Sequence, residues 1–283
     1  MRHALRPGFL LLLGCAMLLP VPSAEAAPKK AHHVTTPKAS KAPVLLPLPE
    51  EPARFVYLDT QSVAPNLLPP PAMVKSQAWK ADMEKVVSMQ KYAAPTEIAV
   101  ARAEQKVRPE IVTHVLGADF SRERLPVTFK LLDNIVSDSR AATKQAKDYW
   151  HMPRPYVADK RVKLLINPLQ PTNFAYPSGH TSTSLVLAKV LEDLRPEVGA
   201  AVLRQAGHIA ERRVIVGVHS PQDLTGGRQL AEAVYLQLKA KPEFQRAVNA
   251  ARAELTAADG RVLGCTPKPE KKNWKHFKSR VTE

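Results

Sequence analysis

Cysteine is nearly absent from this sequence, and its scarcity excludes one class of fold. Cys15 and Cys265 are the only two in 283 residues, so a disulfide framework of the kind that stabilises small exported domains is ruled out. None of the nine histidines lies at a recognisable zinc-binding spacing. We therefore expect a fold held by its hydrophobic core, and the histidine spacing predicts no zinc site.

Acidic residues and long apolar runs are also scarce. After the N-terminal segment, no stretch approaches the roughly 20 apolar residues of a transmembrane helix. The 41 lysines and arginines exceed the 26 acidic residues, which gives a formal net charge of +15. Such a charge favours anionic partners, namely nucleic acid, phospholipid surfaces or small phosphorylated molecules.

The N-terminus has the pattern of a secretory signal peptide. Arg2 and Arg6 precede a short apolar run, and Ala24-Glu25-Ala26 offers small residues for cleavage. The sequence therefore predicts a signal peptide over 1–26 and a periplasmic or secreted mature protein. Two alternatives are less favoured because the apolar run is short: a membrane anchor, and a lipoprotein attached through Cys15.

Composition divides the remaining chain into three parts. Residues 27–50 are rich in Ala, Pro and Lys without apolar periodicity, which predicts a disordered or polyproline-like linker. Residues 51–258 are predicted to form the folded domain. The last part, 259–283, is a basic tail in which lysines surround Trp274 and Phe277. A solvated tail is the favoured interpretation, and weak contact with an anionic surface is the alternative.

Helical periodicity dominates the predicted domain, and no sustained alternation typical of strands is present. Several segments have proline in the first turn, where its missing N–H costs nothing. The predicted helices are 73–93, 95–107, 126–149, 181–194, 196–216, 221–239 and 242–255. This pattern predicts an all-α fold, a helical bundle without internal repeats.

Three short segments carry the candidate functional residues. They are Lys147-x6-Arg154-Pro155, Pro177-Ser178-Gly179-His180 and Arg213-x5-His219-x3-Asp223. Taken singly, each has an ordinary structural interpretation. Lys147 lies near a helix C-terminus, where a cation is favoured, and Ser178 and Ser220 both have the position of a helix N-cap.

Together the three segments supply much of what phosphoryl transfer needs without a metal. The reaction spreads negative charge over three oxygens, so positioning and electrostatic stabilisation dominate its catalysis. Arginines can each bind two of those oxygens, and a helix N-terminus offers N–H donors to an anion. The candidate cations and donors are Lys147, Arg154, Arg213, Ser178 and Gly179.

Two histidines, His180 and His219, fill the remaining roles. A neutral imidazole can attack phosphorus, and a protonated one can donate to the leaving oxygen. Asp223 lies one helical turn beyond His219. Its carboxylate would hold the proton on one ring nitrogen and leave the other nitrogen free.

This three-part signature resembles that of the type 2 phosphatidic acid phosphatase and vanadium haloperoxidase superfamily, and most closely its class A bacterial non-specific acid phosphatases. The resemblance covers about 57–255. Further segments that fit this branch are Leu67-Leu68-Pro69-Pro70-Pro71, Ala146-Lys147-Asp148, Tyr176 and Pro242-Glu243-Phe244-Gln245. The resemblance implies the helical bundle of that superfamily and metal-independent hydrolysis of phosphomonoesters through a covalent phosphohistidine.

The resemblance also implies a role for each matching residue. His219 would be the nucleophile, His180 the acid for the leaving group, and Asp223 the partner of His219. The phosphate would be bound by Lys147, Arg154, Ser178, Gly179 and Arg213. No metal site is implied.

Three positions depart from the pattern of the family. Arg212 stands where serine is usual, and its extra charge is expected to leave activity intact while altering affinity or pH optimum. Tyr149-Trp150-His151 differs from the usual residues and is expected to reshape the mouth of the pocket. Val216 occupies a place where some relatives have a disulfide cysteine.

Several alternatives remain open at this point. Soluble phosphomonoesters, including nucleotides and sugar phosphates, are the favoured substrates, and lipid phosphates or diphosphates are the alternative within the same fold. A vanadium haloperoxidase is disfavoured because the chain is short. From another class, a basic polyanion-binding protein without catalysis would bind with a steep salt dependence that survives His219→Ala. No recognised nucleic-acid-binding fold is present, so no specific nucleic acid is expected as a partner, and a homo-oligomer is left open.

Overall fold

The computed structural model describes residues 54–63, 67–170 and 172–258. Over these residues the chain is helical and has no strand, which confirms the all-α prediction. The predicted signal peptide (1–26), linker (27–50) and basic tail (259–283) lie outside the described residues.

Most of the helices are joined by short connections, and the segment 159–178 between α5 and α6 is longer. In chain order they are α1 (Gln77–Lys91), α2 (Pro95–Ala103), α3 (Glu110–Thr113), α4 (Pro126–Trp150), α5 (Pro155–Ala158), α6 (Gly179–Leu194), α7 (Gly199–Ile215), α8 (Pro221–Lys239) and α9 (Pro242–Ala257). Single 3₁₀ turns follow α3, at His114–Leu116, and precede α7, at Pro196–Val198. Among the helices described, none combines the length and the apolarity that crossing a bilayer requires.

The predicted helices occur in the structure, with differences at their ends. α1 begins at Gln77 and not at 73, because the Ser76 side chain caps the helix by accepting the Trp79 N–H at 3.2 Å. The predicted helix 196–216 is divided, since its first three residues form a 3₁₀ turn. The four-residue helices α3 and α5 were not predicted, because so short a segment contains no measurable periodicity.

α6 is the central helix of the bundle. It packs against α4, α7 and α8, and its apolar residues Val186, Leu187, Val190 and Leu191 are fully buried. A helix surrounded in this way exposes only a narrow edge, at 185, 189 and 192–193. Its N-terminal half is nevertheless polar, and it presents buried hydroxyls where the candidate residues Ser178, Gly179 and His180 lie.

Hydrogen bonds satisfy this buried polar half of α6. The Ser139 hydroxyl of α4 is 3.2 Å from the Ser182 hydroxyl and accepts from Thr183 at 3.0 Å. The Ser184 hydroxyl donates to the His180 carbonyl at 2.6 Å. Since unsatisfied buried hydroxyls are costly, this network favours a single register between α4 and α6, the two helices that supply Lys147 and His180.

The segment that precedes α1 is held to α4 by a buried carboxylate. Asp138 is fully buried and accepts the backbone N–H groups of Val56 (2.6 Å), Tyr57 (3.1 Å) and Leu58 (3.3 Å). Burial raises the pKa of the Asp138 carboxyl, and the three backbone donors oppose that effect. Asp138 is thus a structural carboxylate, and it does not line the cavity described below.

Candidate active site

The three candidate segments converge on one cavity of about 580 Å³. Its lining includes Lys147, Arg154, Gly179, His180, Arg213 and His219. The other two candidates, Ser178 and Asp223, are buried without lining the cavity. Ser178 adjoins Gly179, and Asp223 contacts His219, so all eight lie in one region of the bundle.

Helix ends position the first of these segments. Lys147 is in the last turn of α4, where His151 adopts the left-handed region (φ 50°) and donates its N–H to the Lys147 carbonyl at 3.0 Å. Pro155 is the first residue of α5, and the steric restriction that a proline places on the preceding residue keeps Arg154 extended (φ −64°, ψ 148°). The two cations are therefore presented from consecutive helix ends.

The N-termini of α6 and α8 are joined at the cavity. Ser178 caps α6 by accepting the Thr181 N–H at 3.3 Å, and its own N–H donates to the Asp223 carbonyl at 2.9 Å. Gly227 makes this approach possible, because a Cβ there would lie 2.8 Å from the Ser178 carbonyl oxygen. The first turn of α6 consequently faces the cavity with Gly179 and His180, where a helix N-terminus favours an anion.

Arg213 is a buried cation with incomplete hydrogen bonding. Its side chain is 0% exposed. Nη2 donates to the Ala101 carbonyl at 2.7 Å, whereas Nε and Nη1 have no hydrogen-bond partner among the residues that the structure describes. Unpaired buried donors are rare and costly, and these belong to a group lining a cavity. Burial lowers the pKa of Arg213 to about 10, so the guanidinium is charged at neutral pH and suited to an anion.

Lys147 is buried at the base of the cavity. Its ammonium donates to the Phe174 carbonyl and, at 3.4 Å, to the Ala175 carbonyl. Burial, with the neighbouring charge of Arg154, holds the pKa of Lys147 well below its usual value. An anion in the cavity would restore that pKa by favouring the charged form.

Arg154 connects the lysine side of the cavity to His219. Its Nε and Nη2 donate to the Asn173 backbone carbonyl (2.8 Å) and side-chain carbonyl (2.7 Å). Nη1 donates to the Val218 carbonyl and to Nε2 of His219, both at 2.8 Å. Burial lowers the pKa of Arg154 to about 10, which leaves it protonated at neutral pH.

These contacts assign the tautomer of His219. Arg154 Nη1 lies 2.8 Å from Nε2 and 3.4 Å from Nδ1, and Nδ1 is the ring nitrogen beside the Asp223 carboxylate, which accepts when it is ionised, so the lone pair belongs on Nε2. Nδ1 then carries the proton and lies 3.4 Å from Oδ2 of Asp223. Burial, followed by the charges of Arg154 and Lys147, holds the pKa of His219 well below its usual value. The ring is a neutral imidazole whose lone pair is on Nε2.

Asp223 is held by the start of α8. As the third residue of the helix it accepts the Ser220 N–H at 2.7 Å. Burial raises the pKa of Asp223 to about 6, against the opposing effects of the Ser220 N–H and of Arg154. Above that pH the carboxylate is ionised, with Oδ2 3.4 Å from Nδ1 of His219.

His180 is oriented by a backbone carbonyl. Its Nε2 is 2.9 Å from the carbonyl oxygen of Glu104, and a carbonyl can only accept, so Nε2 carries a proton. Nδ1 is then the nitrogen that can gain and lose a second proton. Burial and the charge of Arg213 hold the pKa of His180 well below its usual value.

Sequence comparisons place the chain among known proteins, although no family model matches it. It is 30% identical to a non-specific acid phosphatase of Salmonella typhimurium over 198 residues, which cover 66% of this chain and 78% of the relative. A non-specific acid phosphatase of Salmonella typhi is 30% identical over 213 residues, covering 72% and 84%. The chain belongs to the non-specific acid phosphatases.

Two further likenesses of this acid phosphatase are more distant. A non-specific acid phosphatase of Providencia stuartii is 29% identical over 154 residues, covering half of this chain and 58% of the relative. A solved transmembrane PAP2-type phosphatidylglycerolphosphate phosphatase from Bacillus subtilis superposes with a TM-score of 0.41 and 18% identity, covering 59% of this chain and 87% of that chain.

The sequence led us to expect that Arg212 adds a positive charge to the site. In the structure of this acid phosphatase, that charge is paired away from the cavity. The guanidinium of Arg212 does not line the cavity and forms a bidentate pair with Glu104, at 2.8 and 2.6 Å. Gln205 also donates to Glu104, at 3.2 Å. The same carboxylate lies 3.6 Å from Nη2 of Arg213. The carboxylate of Glu104 therefore balances the charge of Arg212 and lies next to Arg213. The backbone carbonyl of Glu104 also contacts His180.

The pairing of Glu104 with Arg212 predicts a large loss of stability in a variant that keeps only one of the two charges. Glu104→Gln is expected to destabilise the protein by about 3–5 kcal/mol, because the buried charge of Arg212 then keeps only a 3.5 Å contact with the exposed Glu97. The double variant Glu104→Gln/Arg212→Ser removes that charge and should recover most of the loss. Urea unfolding of the three proteins provides the measurement. A double variant no more stable than Glu104→Gln would show that the pair is not the source of the stability.

The segment expected to reshape the mouth of the pocket lies beside the cavity and not in its wall. Tyr149, Trp150 and His151 do not line the cavity. The ring of His151 packs against the ring of Phe174, with 4.6 Å between their centroids. The Phe174 carbonyl in turn accepts from Lys147, which lines the cavity. Val216 is fully buried in a small apolar cluster with Ala101 and Val218.

Two residues of the site gave no signal in the sequence. Glu104 is a single acidic residue after α2, and Asn173 is an exposed loop residue; neither belongs to a motif. Each acts through a partner distant in sequence, Arg212 and Arg154 respectively. Within the ranges that the structure describes, no group of three or more His, Cys, Asp or Glu residues could hold a metal ion.

Proposed function

We propose that this acid phosphatase hydrolyses phosphomonoesters in the cavity through a covalent phosphohistidine on His219. The observation that carries the proposal is the position of the neutral His219 imidazole. Its nucleophilic Nε2 lies 2.8 Å from Arg154, in a cavity whose wall also contains the buried cations Lys147 and Arg213. A phosphate bound to these cations would lie against that nitrogen.

In the first half of the reaction, the phosphate replaces the contact between Arg154 and Nε2 of His219. Nε2 attacks phosphorus, the P–O bond to the leaving group breaks, and His180 gives its proton to the departing oxygen. Arg154, Arg213 and Lys147 stabilise the charge on the three equatorial oxygens. Asp223 stabilises the positive charge that develops on the His219 ring.

In the second half, water attacks the phosphohistidine. The neutral His180 accepts the proton of that water, the N–P bond breaks, and inorganic phosphate is released. His219 returns to the neutral form and His180 to the protonated form, so protons and atoms balance over the cycle.

The pKa directions favour activity on the acid side of neutrality. His180 must be protonated to act as the acid, and burial with Arg213 keeps its pKa low in the free site. A bound phosphate offsets that positive charge and raises the pKa of His180. A moderately acidic pH then protonates His180. At alkaline pH the lowered pKa of Lys147 removes a phosphate-binding charge. We therefore expect an optimum below pH 7.

Substrate class and location follow from the same residues and from the N-terminal pattern. We infer soluble phosphomonoesters, such as nucleotides and sugar phosphates, acted on in the periplasm or outside the cell after removal of residues 1–26. The expected phosphate ligands also include the Ser178 hydroxyl and the Gly179 N–H at the start of α6. Phosphohistidine chemistry, rather than simple polyanion binding, accounts for the pairing of Asp223 with His219.

The function is tested with the purified protein and p-nitrophenyl phosphate. Hydrolysis is expected to persist in excess EDTA, since the proposed steps use only side chains of this chain. Vanadate, which adopts the trigonal bipyramidal geometry of the transition state, should inhibit competitively and more tightly than phosphate. Loss of activity in EDTA that added metal restores would count against the mechanism.

The role of His180 predicts a dependence on the leaving group. His180→Ala should slow hydrolysis of an alkyl phosphate by roughly 10²-fold or more, because the alkoxide requires a proton to depart. p-Nitrophenyl phosphate should be slowed much less, since p-nitrophenolate leaves without one. The measurement is kcat for both substrates in both proteins. Equal losses on the two substrates would show that His180 does not act as the acid.

A further inference from the structure

The cavity is larger than a phosphate group, and part of its wall is apolar. Its volume of about 580 Å³ is within the range of roughly 300–1,000 Å³ typical of sites that enclose a whole small ligand. Apart from Val218, the apolar side chains of this wall come from two connecting segments. Val107 follows α2, whereas Ile166, Pro168 and Leu169 precede α6. The proposed phosphate chemistry uses none of these four residues, which we call the apolar wall.

Hydrogen bonds hold the two connecting segments together. The Gln105 side chain donates to the Asn167 carbonyl and accepts the Asn167 N–H, both at 3.2 Å. Nε of Arg102 donates to the Leu165 carbonyl at 2.8 Å, and the Leu165 N–H donates to the Val216 carbonyl at 3.1 Å. The apolar wall is therefore built before a substrate arrives, so that binding to it carries a small ordering cost.

Three side chains of the apolar wall are only half-buried by the protein itself. Val107 packs against the main core, and Ile166 and Leu169 pack against the small apolar cluster that contains Val216 and Val218. Because all three also line the cavity, part of their uncovered surface faces the space that a substrate would fill. Covering that surface with an apolar group is favourable.

The apolar wall adjoins the proposed acid, His180. The carbonyl of Glu104 is 2.9 Å from Nε2 of His180, and Val107 is the third residue after Glu104, so their Cα atoms are at most about 11 Å apart. In the proposed mechanism His180 gives its proton to the leaving oxygen. The alcohol therefore departs on the side of the cavity where the apolar wall lies.

We propose that the apolar wall is a leaving-group subsite, which contacts the apolar part of the alcohol that the reaction releases. The preferred substrates are then small phosphomonoesters whose alcohol has an alkyl or aryl surface. This inference rests on the proposed function, because the role of His180 decides where the alcohol lies. An ester of a very short alcohol uses the phosphate-binding residues alone.

The test compares ethyl, butyl and hexyl phosphate in assays of phosphate release. Their leaving groups are nearly equal in basicity, so the series changes the apolar area and not the chemistry. Complete burial of one methylene strengthens binding about fourfold, and a wall on one side covers about half of it, which gives about twofold per methylene. We therefore expect kcat/KM for hexyl phosphate to exceed that for ethyl phosphate by roughly 10- to 20-fold.

Leu169→Ala should lower this hexyl-to-ethyl ratio by roughly 2- to 4-fold and leave kcat/KM for ethyl phosphate nearly unchanged. Leu169→Met retains the apolar volume and should retain the ratio. Val107→Ala should act as Leu169→Ala does, and it keeps the test valid where Leu169→Ala impairs folding. The ratio compares two substrates in one protein, so it does not depend on the fraction of enzyme that is folded.

Leu236→Ala is the matched control. It shortens an exposed leucine of α8 (56% exposed) that does not line the cavity, and the ratio should remain that of the unmodified protein. Sodium chloride at 0.5 M should also leave the ratio unchanged, because screening weakens phosphate binding equally for all three esters.

The outcomes separate the leaving-group subsite from the proposed function. A hexyl-to-ethyl ratio below two, a ratio unchanged by both alanine variants, or a ratio that falls with salt would overturn the subsite while phosphomonoester hydrolysis stands. Failure to hydrolyse both ethyl phosphate and p-nitrophenyl phosphate would instead remove the function on which the subsite depends.

Discussion

His219→Ala is expected to reduce kcat for p-nitrophenyl phosphate by about 10⁴-fold or more, since removing a nucleophile abolishes the covalent route. The variant should also fail to form an acid-labile, alkali-stable phosphoenzyme with ³²P-labelled substrate. The physical reason lies in the contacts of the ring: Nε2 carries the lone pair, and no other described imidazole accepts from Arg154. Rapid quenching of the reaction into alkali, followed by alkaline gel electrophoresis, measures the label.

His208→Ala is the matched control for this experiment. His208 is an exposed histidine on α7 and does not line the cavity, so its loss should leave turnover and labelling intact. Binding of vanadate or phosphate should persist in His219→Ala, because Lys147, Arg154 and Arg213 remain. Labelled phosphate retained on the His219→Ala protein would show that another group is the nucleophile. Steep, salt-sensitive polyanion binding with no turnover in the unmodified protein would instead favour the non-catalytic alternative.

Much of the fold could be predicted because its signals are local. Proline at the first position fixed the starts of α4, α8 and α9 at Pro126, Pro221 and Pro242, where the structure has them. The candidate residues were found for the same reason. They lie within a few residues of helix ends, so a short spacing such as that from His219 to Asp223 already implies a geometry.

What the sequence could not predict depends on contacts between distant segments. Glu104 and Arg212 are separated by 108 residues, and neither has a local pattern that announces the pair. Taken alone, Arg212 was expected to add a positive charge to the site. The carboxylate of Glu104 balances that charge. The same holds for Asn173, which orients Arg154 through two hydrogen bonds from a loop without periodicity.

The site also shows why a motif does not reveal electrostatic cost. Arg213, Lys147, His219 and Asp223 are all nearly inaccessible to solvent, and burial is the main cause of every pKa shift among them. Ionisable groups buried in this way destabilise a fold unless a ligand or a partner compensates. A neutral residue in place of one of these buried ionisable groups is therefore expected to stabilise the fold.

Asp223→Asn is expected to lose activity and gain stability. The amide would donate to Nδ1 of His219, which forces the ring proton onto Nε2 and removes the nucleophilic lone pair; kcat should fall roughly 10³- to 10⁴-fold. The folded-state pKa of Asp223, about 6, lies above the ordinary value of 3.8. A raised carboxyl pKa contributes stability that is present below 3.8 and lost as the pH rises through 6. At pH 7.5 the neutral amide should therefore stabilise the fold by on the order of 1–3 kcal/mol.

The pH dependence distinguishes this explanation from a general effect of the substitution. Urea unfolding at pH 7.5 should favour Asp223→Asn over the unmodified protein, and the difference should disappear near pH 4, where Asp223 is itself protonated. Asp138→Asn is the control, since it changes a fully buried carboxylate outside the cavity and should retain turnover. It should lose stability, because both carboxylate oxygens accept backbone N–H groups and the amide nitrogen that replaces one of them cannot accept. An Asp223→Asn protein that is less stable than the unmodified one at pH 7.5 would show that its ionised carboxylate is a net stabilising group, held by the Ser220 N–H and the cations around it.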